Sequence, residues 1–172
     1  RAPARSIERV ARRGGAANGN HTMKPNHDGQ SLAQALAQLS LARAHLDYSF
    51  QSVAGLPADL NRADAAALAS VEAFSSRFAR TVDLLVNKVL RSLDRVELKP
   101  EGGLLDVVNR AEKRGFVARA AELREMKDVR NIIAHDYAGA KAAEIFAYCR
   151  EQKPGLDMVC DRVLAYAGQL LT

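Results

Sequence analysis

Residues 130–137 read Arg-Asn-Ile-Ile-Ala-His-Asp-Tyr and close a strongly helical run. An arginine presents a planar fork of donors that can hold a phosphate and stabilise charge developing on it. A histidine titrates near neutral pH and can take the proton from a ribose 2′-OH or give one to a leaving oxygen. Arg130 and His135 therefore suit metal-free handling of a phosphodiester, with Asn131 placed to fix the phosphate or the His135 ring. The plainer alternative is a helix C-terminus whose dipole favours a protonated histidine, with Arg130 merely solvated. Tyr137 fits a half-buried ring with its hydroxyl at the rim. Spacing alone leaves these alternatives open. On an ideal helix Arg130 and His135 point ~140° apart. They meet at one point if the helix ends or loosens near His135, as Gly139 allows, or if two copies of the segment pair across a dimer.

The elements that must carry this segment are helical. Ser31-x-x-Gln34 is a capping-box pattern that predicts a helix start, followed by Leu32, Leu36, Leu39, Leu46, Phe50 and Val53, with Gly55 and Pro57 as the stop. A second helix is expected from about Asn61–Asp64 to about residue 96. Its ladder of Leu68, Val71, Phe74, Phe78, Val82, Leu85, Val89 and Leu93 advances in steps of three or four. Pro100, Gly102 and Gly103 predict a turn. A short helix over LLDVVNRAEKR should end at Gly115. The segment from about 117 to 135 carries Leu123, Met126, Val129, Ile132 and Ile133 on or near one face, which anchors the motif in the core. One further helix is expected over about 140–152, before Pro154 and Gly155, and a last one over Leu156 to Leu170. No strand pattern competes and no internal repeat is evident. The expected fold class is all-α: an antiparallel bundle of about four to six helices, two of them long.

Composition agrees. Of 172 residues 48% are hydrophobic but only 5% aromatic, and Trp is absent, so Ala and Leu supply much of the apolar content. The net charge of +5 is unevenly placed. Residues 1–22 hold five Arg and one Glu, which leaves the other 150 residues nearly neutral, so a basic patch there must come from clustering. The 1–22 segment reads as an extension upstream of a natural start at Met23, or as a basic arm for a partner or nucleic acid. Within it SIERVARR can form about two helical turns. Residues 23–172 are expected to be a single helical domain. No apolar run reaches the length a bilayer needs, and the first residues carry no signal-peptide core. Cys149 and Cys160, expected on separate helices, read as reduced core fillers of a cytoplasmic protein.

Familiar sites are missing from the sequence: no glycine-rich phosphate loop, no G-x-S-x-G and no H-E-x-x-H. Four His and two Cys have no metal-ligand spacing, so neither a metal nor a cofactor is expected. His21 and His27 fall in the N-terminal stretch read as flexible, and His45 reads as a boundary or surface residue.

The segment REMKDVRNIIAHDY resembles the signature of the HEPN superfamily, in the form R-x-x-x-x-H-x-Y carried by Arg130, His135 and Tyr137. That form is similar to the HepT branch, partners of MNT-type nucleotidyltransferases in toxin–antitoxin pairs, and to the nucleotidyltransferase substrate-binding branch. By helix order the resemblance spans about residues 31–172. It implies an all-α homodimer in which both motif copies line one cleft. It implies metal-independent RNA cleavage by Arg130 and His135, and neutralisation by a nucleotidyltransferase that places AMP on Tyr137. The substrate-binding branch instead implies a non-catalytic accessory subunit. That branch often has a Trp in its second long helix, which this chain lacks.

Overall fold

The computed structural model describes residues 24–57, 59–135 and 141–172, with side chains from His27 onward. Residues 1–22 and Tyr137 lie outside the described residues. The chain is an all-α bundle, and no strand occurs among the described residues. Its elements are α1 (Lys24–Val53), a 3₁₀ turn (Leu60–Arg62), α2 (Ala65–Leu84), a π-helical segment (Leu85–Leu90), α3 (Arg91–Val96), α4 (Leu104–Lys113), α5 (Ala120–His135) and α6 (Ala142–Leu170). From Ala65 to Val96 the helical backbone is unbroken. Among the described residues no helix is long and apolar enough to cross a membrane.

Helix directions follow from which side chains meet. Phe50 meets Phe74 at 5.7 Å, and Arg95 on α3 lies 3.9 Å from Asp28 near the start of α1. α1 thus runs antiparallel to the α2–α3 rod. It is antiparallel to α6 as well. Arg43 pairs with Asp161 at 2.7 Å, Lys153 with Asp47, and Arg150 donates to the Leu56 carbonyl at 2.9 Å. α2 and α6 consequently run the same way, joined by edge-on contacts of Phe74 with Phe146 at 6.1 Å and Phe78 with Tyr148 at 6.4 Å. Leu32, Leu39, Leu46, Phe74, Phe78, Leu123, Phe146 and Leu156 sit at the centre with almost no exposure.

The helix signals hold in most places. Asp64 caps α2, its carboxylate accepting from the Ala67 amide at 2.8 Å. The ladder from Val71 to Leu93 is buried, while Leu68, at its outer end, is 39% exposed. Gly115 ends the turn after α4 with φ of 75°, a left-handed conformation that costs a side chain. Nothing lies within 4 Å of a Cβ placed there, so the penalty of Gly115→Ala is purely conformational. The expected loss is about 1 kcal/mol, read as a lowered urea midpoint with an unchanged m-value. A midpoint equal to wild type would contradict the left-handed turn.

Four expectations need correction. α1 begins at Lys24, not at Ser31, so the Ser31-x-x-Gln34 pattern lies within a helix and caps nothing. His27 accordingly belongs to the early turns of α1. Pro154 does not divide the C-terminal segment, because α6 runs through it. The ring sits on the exposed face, where the carbonyl that loses its partner can turn to water. Cys149, Leu156, Val159 and Cys160, all buried on either side of it, pack on the same core and outweigh its cost of about 3 kcal/mol. Cys149 and Cys160 therefore share one helix. Both are buried, and burial pushes each thiol up to about 12, which leaves them inert. Finally, Ile132 is 38% exposed, so the core anchoring of α5 comes from Leu123 and Met126, with Val129 and Ile133 half-buried.

The π segment was not foreseen. Within it Leu85, Val86, Val89 and Leu90 are all buried while Asn87 and Lys88 stay exposed. The regular three-and-four ladder hides this, because Leu85 and Val89 fit an α-helix equally well.

Candidate functional site

α5 carries Arg130 to the mouth of a groove of about 860 Å³. One wall is α1, through Gln38, Leu41, Ala42 and His45. The floor and opposite wall are α2 and the π segment, through Ser76, Arg77, Arg80, Asp83 and Lys88, and Ile133 and Ala134 of α5 line it beside Arg130. The sequence brings these together because one stripe, stepping from Arg77 to Arg80 and Leu84 on α2 and on to Lys88 in the π segment, faces the groove.

Asp83 organises the end near Arg130. Its Oδ1 receives Lys127 Nζ at 2.6 Å, Asn87 Nδ2 at 2.9 Å and lies 3.1 Å from Arg130 Nε. Burial pushes the Asp83 carboxyl up, but the hydrogen bond and charge of Lys127, the charge of Arg130 and the bond from Asn87 outweigh it and hold it below the usual carboxylate range. Lys127 is buried, so this carboxylate also compensates a cation that would otherwise be stranded. Arg130 approaches Asp83 through Nε, and its Nη1 donates to Asn131 Oδ1 at 3.3 Å. The arginine is thus gripped at its stem side, and its side chain stays about one-third exposed. At the other end of the groove Arg77 Nη1 donates to Ser49 Oγ and, at 3.5 Å, to the His45 carbonyl, which ties α2 to α1.

The expected site residues are therefore only partly assembled. Arg130 and Asn131 are in contact and Arg130 lines the groove. His135 is the exposed last residue of α5 and is not part of the groove wall. The helix stays regular to His135, so loosening within α5 does not bring His135 to Arg130. Asp83, Arg77, Arg80, Lys88 and Lys127 were missed by sequence reasoning. The stripe on α2 was a usable signal. The pairing of Asp83 with α5 was not, since it depends on how two distant helices pack.

The family model described as ribonuclease HepT-like matches residues 78–163. Comparison with curated proteins and with solved structures found no match. The matched span runs from the middle of α2 well into α6 and takes in Arg80, Asp83, Lys88, Arg130 and His135. With half of the chain covered and an all-α bundle around it, this chain belongs to the ribonuclease HepT-like family.

Proposed function

We propose that this chain is the toxin of a HEPN/MNT toxin–antitoxin pair, a metal-independent endoribonuclease acting in the cytoplasm through its helical domain, residues 23–172. The observation that carries the reading is the HepT-like match over a segment whose Arg130 opens onto a basic groove. In this reaction Arg130 holds the scissile phosphate and stabilises charge on its oxygens. The His135 imidazole takes the proton of the ribose 2′-OH; the 2′-oxygen bonds to phosphorus, and the bond to the 5′-oxygen breaks as that oxygen takes a proton from the imidazolium or from water. Asn131 supports the Arg130 guanidinium. Because the two residues diverge on one straight helix, the active cleft is built by a homodimer, Arg130 from one protomer facing His135 from its partner. Exposure of Asn131, Ile132 and His135 leaves this end of α5 open to a second copy. The antitoxin is an MNT-type nucleotidyltransferase that transfers AMP from ATP to the Tyr137 hydroxyl with release of pyrophosphate; the added phosphate and base compete with RNA for Arg130.

A second reading is supported by the Asp83 cluster. A carboxylate beside Arg130 Nε also suits an arginine that only stabilises the bundle, as in a non-catalytic accessory subunit that presents substrate to a nucleotidyltransferase. Expression of the chain alone separates the two. The toxin arrests growth, and His135→Ala relieves the arrest at equal protein level. Growth unaffected by wild type rejects the toxin and favours the accessory role. For Tyr137, incubation with the nucleotidyltransferase, ATP and Mg²⁺ gives a mass gain of one AMP that Tyr137→Phe abolishes. An unchanged mass, with an enzyme active on another substrate, rejects the modification.

A further inference from the structure

The groove extends past Arg130 along α1 and α2, and its charge is one-sided. Among the described residues its lining holds Arg77, Arg80, Lys88 and Arg130 against Asp83 as the sole carboxylate. That carboxylate is already engaged by Lys127 and Arg130. Arg80 and Lys88 are exposed, and neither side chain forms an ion pair or hydrogen bond among the described residues. Outside its N-terminal segment the chain is nearly neutral, so this one-sided lining is a local cluster and not a reflection of bulk charge.

The geometry points to Arg80 and Lys88 as two phosphate subsites that guide single-stranded RNA along this groove, on either side of the level at which Asp83 holds Arg130. This rests on the nuclease reading above for the identity of the strand. Eight residues separate them, about 12 Å along a helix axis, too far for both to hold one phosphate and within reach of two phosphates of one strand. Within the π segment Lys88 lines the groove while Leu85, Val86, Val89 and Leu90 are buried. Arg77 does not belong to the set, since Ser49 and the His45 carbonyl already take its Nη1. Contacts of this kind recognise a phosphate backbone without reading bases.

The test uses the full chain and a short mixed-sequence 2′-O-methyl oligoribonucleotide, which lacks the 2′-hydroxyl nucleophile, with binding followed by fluorescence anisotropy across a salt series. Arg80→Ala and Lys88→Ala should each weaken binding roughly threefold and lower the slope of log K against log salt by about 0.7, the value for one lost contact to a single strand. Arg80→Lys and Lys88→Arg should keep the wild-type slope. Arg62→Ala, an exposed arginine outside the groove, should match wild type throughout. Unchanged helical circular dichroism verifies that the variants fold. Affinity and slope equal to wild type in both alanine variants would overturn the subsites, and would be the result if the groove seats an acidic protein face. Absence of binding by wild type overturns them too. Cleavage of ordinary RNA, measured in parallel, separates this from the nuclease reading. A chain that binds through Arg80 and Lys88 yet leaves RNA intact supports the subsites and contradicts the nuclease. Cleavage with unchanged KM in both variants does the reverse.

Discussion

Arg130→Ala is expected to lower RNA cleavage by about 10²–10³-fold, the usual cost of removing one donor that stabilises transition-state charge. His135→Ala should cost about 10²–10⁴-fold, the contribution of positioned proton transfer. Arg130→Lys should not rescue, because an ammonium cannot both meet Asp83 from its stem side and fork towards a phosphate. The informative experiment mixes the two alanine variants. If each cleft takes Arg130 from one protomer and His135 from its partner, a mixed dimer contains one cleft with both residues intact. Unfolding and refolding the two inactive chains together should then restore about a quarter of wild-type activity, since half of the dimers are mixed and each has one working cleft. If both residues of a cleft come from the same chain, no mixture regains activity. Persistent inactivity of the refolded mixture, with dimers verified by light scattering, would therefore reject the shared cleft.

Asp94→Ala is expected to produce the largest stability loss among surface-distant polar substitutions, about 3 kcal/mol, seen as a shift of the urea midpoint. Asp94 is buried on α3 and receives Arg110 Nη1 at 2.8 Å and Arg114 Nη2 at 2.6 Å. Arg114 is itself only 8% exposed, so the alanine strands a guanidinium away from water. The loss stays at the lower end for such pairs because Arg114 keeps Glu97, at 2.8 Å. Asp94→Asn should lose less, since the amide oxygen still accepts. The same cluster gives the bundle an acid limit. Burial pushes the Glu97 carboxyl up, but hydrogen bonds from Arg114 and Tyr166 and the charge of Arg114 outweigh it and hold it below the ordinary range. A carboxyl depressed by folding stabilises the native state above its unfolded pKa, and that contribution is lost as pH falls through the folded value. Wild type should thus lose stability on acidification below the ordinary carboxylate range, and Glu97→Gln should lose less over the same window. Equal acid dependence in the two proteins would remove Glu97 from this role.

Local chemistry in the chain specifies most helices taken one at a time. Apolar spacing places α2, α4 and α5, because burial of one face repeats every three or four residues whatever the partner. Gly115 and the Asp64 cap end their elements through local backbone chemistry. The Arg-to-His motif was legible for the same reason, being carried within one turn and a half of α5. Where the reading failed, a local signal did not decide the element. Ser31 could have begun α1, yet the helix reaches back to Lys24, for which the structure offers no strong contact as the cause. Pro154 could have ended a helix, yet core packing on both sides carries α6 through it. The site divides along the same line. Arg130, Asn131 and His135 could be named from the chain, but the groove could not, because Asp83 and Arg80 join Arg130 only when α2 packs beside α5. A side chain's own periodicity tells whether it leaves the core. Which other charges it then meets is decided by helix pairing across more than forty positions of sequence, as Asp83 and Lys127 show, and only the tertiary structure contains that pairing.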